Sequence, residues 1–393
     1  LKGKTVVLGV TGSIAAYKIA NLARMLVKQH CEVHVLMTQN ATNFINPITF
    51  ETLTKHKCLI DTFDRNFEFS VEHVALAKEA DVVMIAPASA NVIGKIANGI
   101  ADDMLTTTVM ACPCKKIVSP AMNHNMFHNP IVQDNIEKLK HYGYEIVEPA
   151  HGMLANGDMG DGRMPDEELL FEYIVKEIAF EKDMTGKKVL VTAGATVEAI
   201  DPVRFITNHS SGKMGFALAK NAMLRDADVT LVMGKCDSEP PVFVNTVKVQ
   251  SAKDMYDAVI ERADSMDIIV KAAAVADYRP KNVSSEKVKK QDGNMSIELE
   301  RTDDILKTLG ERKNGQFICG FSMETENMLE NSRKKLEKKN CDMIVANNLK
   351  QDGAGFGGNT NIVTLITKDD EVQLEKMTKD EVAEKIFDFI LSR

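Results

Sequence analysis

The amino-acid sequence predicts an α/β protein that consists of two doubly wound domains. The prediction rests on residues 3–12 (GKTVVLGVTG) and residues 186–194 (GKKVLVTAG), each of which is an apolar run ending in a turn of small residues. Such a run is typical of the first strand of a parallel sheet, which is buried on both faces and continues into a helix. Because the pattern occurs twice, we predict a first domain over residues 1–180 and a second over residues 181–393.

Length, composition and charge exclude several classes of protein. A chain of 393 residues with 44% hydrophobic and 26% charged residues is ordinary for a globular protein with two or three sizeable cores. The formal net charge of −8 argues against a broad nucleic-acid surface, and no apolar run approaches the roughly 20 residues of a membrane span. Seven cysteines without repeated CxxC pairs indicate reduced thiols. With no signal-peptide pattern at the start, we expect a cytoplasmic protein that binds neither nucleic acid nor membrane.

The first half alternates between buried strands and amphipathic helices. We predict strands over residues 6–10, 32–37, 81–91 and 117–119, and helices over residues 14–29 and 167–180. Ligands of open α/β sheets bind at the carboxyl ends of the strands, where N–H groups of a following helix can hold a phosphate. Neither a complete G-x-G-x-x-G fingerprint nor a Walker loop follows the first strand, which disfavours a nicotinamide oxidoreductase and a P-loop protein.

Three motifs of the first half resemble a known family. Residues 11–17 (TGSIAAY), 86–91 (APASAN) and 120–126 (PAMNHNM) are together similar to the homo-oligomeric FMN-containing cysteine decarboxylases. The resemblance implies a flavodoxin-like, Rossmann-like flavoprotein domain in which FMN is contacted by Gly12, Ser13, Thr38, Ser89 and Asn91. It also implies that Asn123 holds the substrate carboxylate, that Met126 belongs to a clamp over the substrate, and that His73 assists proton movement.

Other interpretations of these residues remain open on the sequence alone. A histidine before an apolar run, such as His73, is more often an ordinary surface residue, and Met126 could equally be a core residue. His124 and His128 are four residues apart in a segment bounded by prolines, and we interpret them as loop residues that do not bind a metal.

Residues 151–164 (HGMLANGDMGDGRM) resemble the mobile flap of the same family, and their glycines provide the freedom that a lid needs. The family has a proton-donating cysteine where this chain has Asn156. Because an amide has no ionisable proton near neutral pH, we expect oxidative decarboxylation to survive and the last reduction step to be impaired. The alternative is a flavoprotein regulatory subunit without decarboxylase turnover, of the kind that binds a phosphatase in some eukaryotes.

The second half shows the same alternation. We predict strands over residues 189–192, 228–233, 268–274 and 343–347, and helices over residues 214–225 and 252–263. Residues 208–215 (NHSSGKMG) combine hydroxyls, glycines and a lysine ahead of a helix, which suits a phosphate or acyl-phosphate. A helix start capped by Ser210 or Ser211 explains the segment equally well. Asp277, at the end of a strand, suits a ribose or metal contact.

Motifs of the second half resemble bacterial phosphopantothenate–cysteine ligases. They are residues 201–205 (DPVRF), 208–215, 273–278 (AAVADY) and 286–290 (EKVKK), and the similarity extends over nearly the whole half. The order decarboxylase then ligase is that of the bacterial bifunctional proteins of coenzyme A biosynthesis. The resemblance implies that CTP activates 4′-phosphopantothenate as an acyl-cytidylate, and that cysteine converts it to 4′-phosphopantothenoylcysteine. The first domain would then decarboxylate this product to 4′-phosphopantetheine.

The second resemblance also implies site residues. Asn208 would hold the acyl intermediate, Lys287 would be catalytic, and CTP would be bound by Ala273, Asp277, Lys287, Asp304, Ile305, Phe321, Lys335 and Lys339. Lysines would offset the triphosphate charge, and Mg²⁺, with no ligands assigned, would bridge phosphate oxygens. The family forms decarboxylase trimers and ligase dimers, so we expect a homo-oligomer, a dodecamer.

Overall fold

The computed structural model describes residues 1–62, 72–153, 157–289, 295–324, 327–348 and 358–393. The chain divides into two compact units, Leu1–Glu181 and Lys182–Arg393. Each unit contains a mainly parallel sheet covered by helices, which confirms the predicted α/β class. Among the residues described, no helix combines the length and the apolar character needed to cross a membrane.

The first unit is built on a five-stranded parallel sheet of order β2-β1-β3-β4-β5, and β6 and β7 form a separate antiparallel hairpin. This order is that of flavodoxin-like folds, in which the strand order reverses between β1 and β3. Its strands are β1 (Thr5–Val10), β2 (Glu32–Met37), β3 (Val82–Ala88), β4 (Lys115–Pro120), β5 (Glu145–Ile146), β6 (Ala150–Met153) and β7 (Met159–Arg163). Its α-helices are α1 (Ile19–Lys28), α2 (Pro47–Thr54), α3 (Glu72–Glu79), α4 (Ala90–Ala97), α5 (Met104–Ala111), α6 (His124–Phe127), α7 (Pro130–His141) and α8 (Glu167–Ile178).

The alternation of side chains along β1 explains why helices cover both faces of this sheet. Val6 and Leu8 belong to one buried cluster, whereas Val7, pointing the other way, belongs to a second. The helix predicted over residues 14–29 is divided into a 3₁₀ helix (Ile14–Lys18) and α1. The tight i→i+3 bond from the Ala16 N–H to the Ser13 carbonyl, 3.0 Å, marks this first turn.

The second unit contains an eight-stranded sheet of order β12-β11-β8-β13-β16-β17-β19-β20, whose first six strands are parallel and whose last two are antiparallel. The six parallel strands have the Rossmann order, which reverses between β8 and β13. The strands of this sheet are β8 (Lys188–Ala193), β11 (Asp228–Met233), β12 (Asn245–Lys248), β13 (Ile268–Lys271), β16 (Phe317–Glu324), β17 (Met343–Asn348), β19 (Val363–Ile366) and β20 (Glu371–Gln373). The short strands β9 (Val197–Ala199), β10 (Phe205–Thr207), β14 (Tyr278–Pro280), β15 (Leu299–Arg301), β18 (Thr360–Asn361) and β21 (Met377–Thr378) form three two-stranded ribbons. The helices are α9 (Lys213–Leu224), α10 (Ala252–Ala263), α11 (Ile305–Arg312), α12 (Met328–Lys338) and α13 (Lys379–Leu391).

The start of α9 differs from one of our two interpretations. The N-cap is Gly212, with φ of 78°, and no side chain of the described residues caps the helix, so the prediction that Ser210 or Ser211 is the N-cap is wrong. A Cβ atom at Gly215 would lie 2.5 Å from the Cβ of Ala193 in β8. Glycine therefore allows α9 to approach the sheet closely, as the third glycine does in dinucleotide-binding folds.

Strand β13 is three residues shorter than predicted. After Lys271, side-chain hydroxyls replace the backbone partners of two N–H groups, whereas the Ala274 N–H still donates to the Gly194 carbonyl at 2.9 Å. The Ala273 N–H donates to Thr192 Oγ1 and the Ala276 N–H donates to Thr196 Oγ1, both at 3.0 Å. Residues 272–277 consequently form a loop across the carboxyl edge of the sheet.

Candidate active sites

The carboxyl ends of β2, β1 and β3 are tied together where the strand order of the first unit reverses. Thr11 Oγ1 donates to the Pro87 carbonyl at 2.6 Å and accepts from the Ser89 N–H at 2.8 Å. The Thr38 N–H donates to the Val10 carbonyl at 3.0 Å. Three of the predicted FMN positions, Ser13, Thr38 and Ser89, therefore lie on the ends of adjacent strands.

Each of these three residues caps a helix start. Ser13 and Thr38 precede 3₁₀ helices and Ser89 precedes α4, and each hydroxyl accepts from a backbone N–H at 3.3–3.4 Å. The N–H groups at such helix starts attract anions. Asn91 is exposed in the first turn of α4, and a Cβ atom at Gly12 would lie 2.8 Å from Asn40 Cβ, so Gly12 permits a close approach of two loops.

Beside this edge lies a cavity of about 470 Å³, here named cavity A. Its walls are mostly apolar, with two cationic side chains, and are formed by Ser13, Ile14, Ala15, Tyr17, Lys18, Ala121, Met122, Asn123, Met153, Gly162, Arg163 and Met164. Predicted residues Ser13 and Asn123 thus line one cavity. His73, half-buried at the start of α3, and Met126, 49% exposed on α6, are described residues that do not line it.

The β6–β7 hairpin occupies the position predicted for the flap. The Met122 N–H donates to the Gly162 carbonyl at 3.0 Å, and Asn123 caps α6 by accepting from the Asn125 N–H at 2.9 Å. The hairpin therefore holds the segment that carries Asn123 against cavity A. Asn156, the predicted site of the missing cysteine, lies outside the residues that the structure describes.

A second contact joins the hairpin to α6 through histidines. Asp161 Oδ1 lies 3.0 Å from His151 Nδ1, and its Oδ2 lies 3.0 Å from His128 Nε2. The hydrogen bonds from His151 and His128 lower the pKa of Asp161. His124 is the first residue of the short helix α6 and His128 directly follows that helix, so the segment is not the predicted loop. One ring nitrogen of each histidine and one carboxylate oxygen of Asp161 all lie within 4.8 Å of one another.

Removing the Thr11 hydroxyl is expected to destabilise the protein. In Thr11→Val the buried Pro87 carbonyl and Ser89 N–H each lose a partner, so the free energy of unfolding should fall by about 1–3 kcal/mol. Chemical denaturation followed by circular dichroism measures the change. Thr11→Ser keeps the hydroxyl and serves as the control; a Thr11→Val protein as stable as the wild type would contradict the role given to this residue.

The second unit has a cavity of about 570 Å³ beside the loop that follows β13, here named cavity B. It contains five predicted nucleotide-binding residues: Asp277, Asp304, Ile305, Lys335 and Lys339. The other lining residues are Lys271, Val275, Ala276, Tyr278, Arg301, Thr302, Asp303, Leu306, Asn331, Lys334 and Lys338. Lysines outnumber carboxylates in this set, which suits a polyanionic ligand.

Hydrogen bonds fix several of these charges. Lys335 Nζ donates to the Phe321 carbonyl at 2.9 Å, and the Lys339 ammonium pairs with Asp304. Burial raises the pKa of Asp304, but the hydrogen bonds from Lys339 and the Lys307 N–H and the charges of Lys339 and Lys271 together outweigh it, and the net pKa is lowered. Helix α12 ends at Lys338, so Lys339 is its C-cap, yet Lys335 and Lys339 lie on the same cavity as their spacing predicted.

Two further cavities adjoin cavity B along the same edge of the sheet. Cavity C, about 230 Å³, lies at the start of α9, contains Phe321, and shares Lys271, Val275, Asp277 and Lys335 with cavity B. Cavity D, about 320 Å³, contains Asn208 and shares Ser210 and Ser211 with cavity C. The Asn208 amide donates to the Ala274 and Val275 carbonyls at 3.4 and 3.2 Å. The predicted acyl-binding residue is thereby attached to the loop that borders cavity B.

Lys287 lies on an exposed loop whose base is anchored by Asp201. Asp201 accepts from the Val288 N–H at 3.1 Å and pairs with the Arg204 guanidinium, which also donates to the Val288 carbonyl at 2.7 Å. The Arg204 hydrogen bond holds the pKa of Asp201 well below its usual range. Lys287 is not among the described residues that line cavities B, C and D, whereas the largely buried Ala273 lines cavity C.

Sequence reasoning missed Lys271 and did not assign a task to Asp201. Lys271 is the last residue of β13 and lines both cavity B and cavity C. Burial, followed by the positive charge of Lys335, lowers the pKa of Lys271 to about 8. The sequence feature that could have identified Lys271 as a site residue was its position as a single lysine directly after the apolar run of residues 268–270.

Comparison with known proteins places both units in described families. Residues 1–179 match the family described as Flavoprotein, and residues 184–393 match the DNA/pantothenate metabolism flavoprotein C-terminal domain. The coenzyme A biosynthesis bifunctional protein CoaBC of Bacillus subtilis (strain 168) is 47% identical, over 94% of this chain and 92% of the relative. The protein of the same name from Vibrio cholerae is 42% identical over 99% of this chain and 98% of the relative. A cysteine/cysteine sulfinic acid decarboxylase from an unknown prokaryotic organism is also 42% identical, over 88% of this chain and 99% of the relative. The chain belongs to the family of bifunctional coenzyme A biosynthesis proteins.

Proposed function

We propose that this chain catalyses two steps of coenzyme A biosynthesis. The second unit ligates 4′-phosphopantothenate to cysteine with CTP, and the first unit decarboxylates the resulting 4′-phosphopantothenoylcysteine to 4′-phosphopantetheine with FMN. The observation that carries the proposal is the 47% identity, over 94% of the chain, to a relative named as the bifunctional enzyme of this pathway.

The residues of the first unit fit a flavin. Cavity A offers apolar walls for a planar ring, and the capped helix starts at Ser13, Thr38 and Ser89 offer N–H groups for a phosphate. FMN, when bound, supplies two-electron oxidation of the cysteinyl group. The Asn123 amide orients the substrate carboxylate, and the β6–β7 hairpin excludes water from the cavity. His73 is proposed to carry a proton and Met126 to contact the substrate.

The three adjoining cavities of the second unit support the ligase assignment. A substrate carboxylate oxygen attacks the α-phosphorus of CTP, the bond to the β-phosphate oxygen breaks, and pyrophosphate leaves. The cysteine amine then attacks the acyl carbon, the bond from that carbon to the phosphate oxygen breaks, CMP leaves and the nitrogen releases a proton to water, giving the amide. Lys335 and Lys339 in cavity B neutralise the triphosphate, Asp277 contacts the ribose, and Asn208 in cavity D holds the acyl group. Lys287 approaches from its loop, and Mg²⁺ supplies further charge neutralisation on the phosphates.

Mass spectrometry of products tests both activities at once. Full-length protein with FMN, 4′-phosphopantothenate, cysteine, CTP and Mg²⁺ should release pyrophosphate and form the ligated cysteine product. Omission of CTP should stop both. If no product depends on CTP, the ligase assignment is wrong. If free cysteine loses CO₂ without CTP, the chain acts as a cysteine decarboxylase, which is the activity in the name of one relative. CTP-dependent pyrophosphate release also separates the enzyme from a flavoprotein regulatory subunit.

Asn156 is proposed to limit the decarboxylase. The wild type should convert the ligated product only to a species two hydrogens lighter than 4′-phosphopantetheine, because no thiol donates the proton needed for the last reduction. Asn156→Cys should restore formation of 4′-phosphopantetheine over many turnovers, with pyrophosphate release unchanged. Multiple turnovers by the wild type would show that another group supplies the proton.

We also propose a cytoplasmic homo-oligomer, a dodecamer formed through trimeric contacts of the first unit and dimeric contacts of the second. Light scattering of the full-length protein gives the mass directly. A measured mass that differs from twelve times the chain mass of 43.4 kDa would show that the protein is not a dodecamer.

A further inference from the structure

Lys271 is the point where cavities B and C meet. It is the last residue of β13, next to the place where the strand order reverses, and it pairs in register with Thr192 of β8 and Gly320 of β16. Its side chain is half-buried and lines both cavities. Within the described part of the chain, its ammonium has neither a hydrogen-bond nor a salt-bridge partner. A cation held in this way lacks the compensation that buried charges normally have.

The surrounding charges leave room for an anion at this point. Two carboxylates face Lys271, Asp277 from the loop after β13 and Asp304 from the start of α11, and Asp304 is already paired with Lys339. Cations face it from three helices: Lys335 and Lys339 at α12, Lys213 at α9 and Lys379 at α13. Lysines predominate around the junction, so a bound phosphate would be favoured there.

We propose that Lys271 binds the phosphate group that links the nucleotide to the acyl group, and so acts as a catalytic residue of the ligase. This inference rests on the proposed function. Cavity B takes the nucleotide and cavity D the acyl group, and cavity C lies between them, sharing Lys271 with the first and Ser210 with the second. The α-phosphate is the only phosphate that both halves of the acyl-cytidylate share, and it must therefore lie near this junction.

One cation at this position serves both chemical steps. When the carboxylate oxygen attacks the α-phosphorus and pyrophosphate leaves, negative charge on the α-phosphate oxygens is stabilised by the Lys271 ammonium. When the cysteine amine attacks the acyl carbon, the same ammonium stabilises CMP as the leaving group. Lys271 keeps its proton throughout, so it contributes electrostatic stabilisation and no proton transfer.

The affinity for CTP should depend on pH. Without nucleotide, a pKa of about 8 leaves about half of the Lys271 side chains neutral at pH 8. A phosphate beside the ammonium raises that pKa, so CTP binding at pH 8 should take up about half a proton. The sign follows from the raised pKa of the complex: affinity for CTP is fully present below pH 8 and declines as the pH rises through 8. Lys379, whose pKa burial also lowers, could add to the uptake.

Three lysine variants of the full-length protein test the inference. Lys271→Met should lower ligase kcat/KM by about 100-fold or more, the usual loss on removing one group that stabilises developing charge. Lys271→Arg, which keeps a permanent charge, should retain activity to within about tenfold. Lys188→Met, exposed at the opposite edge of the sheet, is the matched control and should behave as the wild type. Decarboxylation of supplied 4′-phosphopantothenoylcysteine should be the same in all four proteins.

Proton uptake separates a charge role from a structural one. Isothermal titration with CTP at pH 8, in buffers of different ionisation enthalpy, should give an uptake that is lower by about half a proton in Lys271→Arg than in the wild type. The comparison cancels any uptake at Lys379. Equal uptake in both proteins, or a Lys271→Met protein with wild-type ligase activity, would overturn the inference while leaving the ligase assignment intact. A wild type without CTP-dependent pyrophosphate release would overturn the ligase assignment itself.

Discussion

Gly162→Ala is expected to lower the rate of single-turnover CO₂ formation by at least about 100-fold while CTP-dependent ligation continues at the wild-type rate. Gly162 has φ of 116°, a conformation that L side chains rarely adopt, and a Cβ atom there would overlap the Met122 carbonyl oxygen. Relief of the overlap must move the hairpin away from the segment that carries Asn123. A displacement of about 1 Å in a substrate-orienting group is sufficient for a loss of this size.

Gly152→Ala is the matched control for this prediction. Gly152 lies in β6 of the same hairpin, but a Cβ atom there would meet only the flexible end of the Arg163 side chain, at 3.3 Å. The two variants are compared by single-turnover formation of CO₂ from supplied 4′-phosphopantothenoylcysteine, with pyrophosphate release as the internal standard. If Gly162→Ala and Gly152→Ala decarboxylate equally well, the hairpin does not position Asn123.

Replacing Asp201 with alanine should produce the opposite pattern, with ligase kcat/KM lowered about 100-fold and decarboxylation unchanged. The Asp201 carboxylate is buried and binds the Arg204 guanidinium and the Val288 N–H at the base of the loop that carries Lys287. Without the carboxylate, Arg204 loses its partner and the loop loses its anchor. The distance of Lys287 from the reacting groups is then no longer fixed.

Asp228→Ala, which removes an exposed carboxylate at the start of β11, is the control for a general charge effect. The loss in Asp201→Ala should also be the same at every pH between about 5 and 9. Because the folded pKa of Asp201 is lowered, its stabilising effect is present above the ordinary carboxyl pKa of about 3.9 and disappears only as the pH falls through the lower folded value. A loss that vanished at pH 5 would mean that another group holds the loop.

Local pattern predicted the bounds of several elements, but the strand predicted over residues 81–91 ends at Ala88, and α4 begins at Ala90. The strands over residues 32–37 and 228–233 and the helix over residues 252–263 have the predicted bounds. The errors lie where a side chain or a distant segment competes with the backbone pattern. Threonine hydroxyls of other segments bond the residues after Lys271, where β13 ends. Helix α9 packs closely on β8, and its N-cap is Gly212. Neither interaction has a signature in the residues next to the error.

The candidate sites likewise contain some residues that the local sequence pattern indicated and others that it did not. The pattern of strands and turns indicated that Ser13, Thr38 and Ser89 belong to one sheet edge, because parallel strands place their carboxyl ends side by side. It could not indicate that Lys271 faces two cavities, because their walls come from α9, α11 and α12, which lie 30 residues or more away along the chain. Periodicity contains information about neighbours within a turn or two and none about such distant partners.

By itself the sequence determined the α/β class, the two sheets and the edge of each sheet at which the candidate sites lie, since these follow from runs of apolar residues and the turns between them. Only the tertiary structure decided which charges meet. It attached the loop of Lys287 to Asp201, joined the hairpin to the end of α6 through Asp161 and His128, and set Lys271 between two cavities, where its ammonium has no hydrogen-bond or salt-bridge partner among the residues that the structure describes. Such contacts bring together residues far apart in the chain, and their energies depend on burial and charge that exist only in the folded molecule.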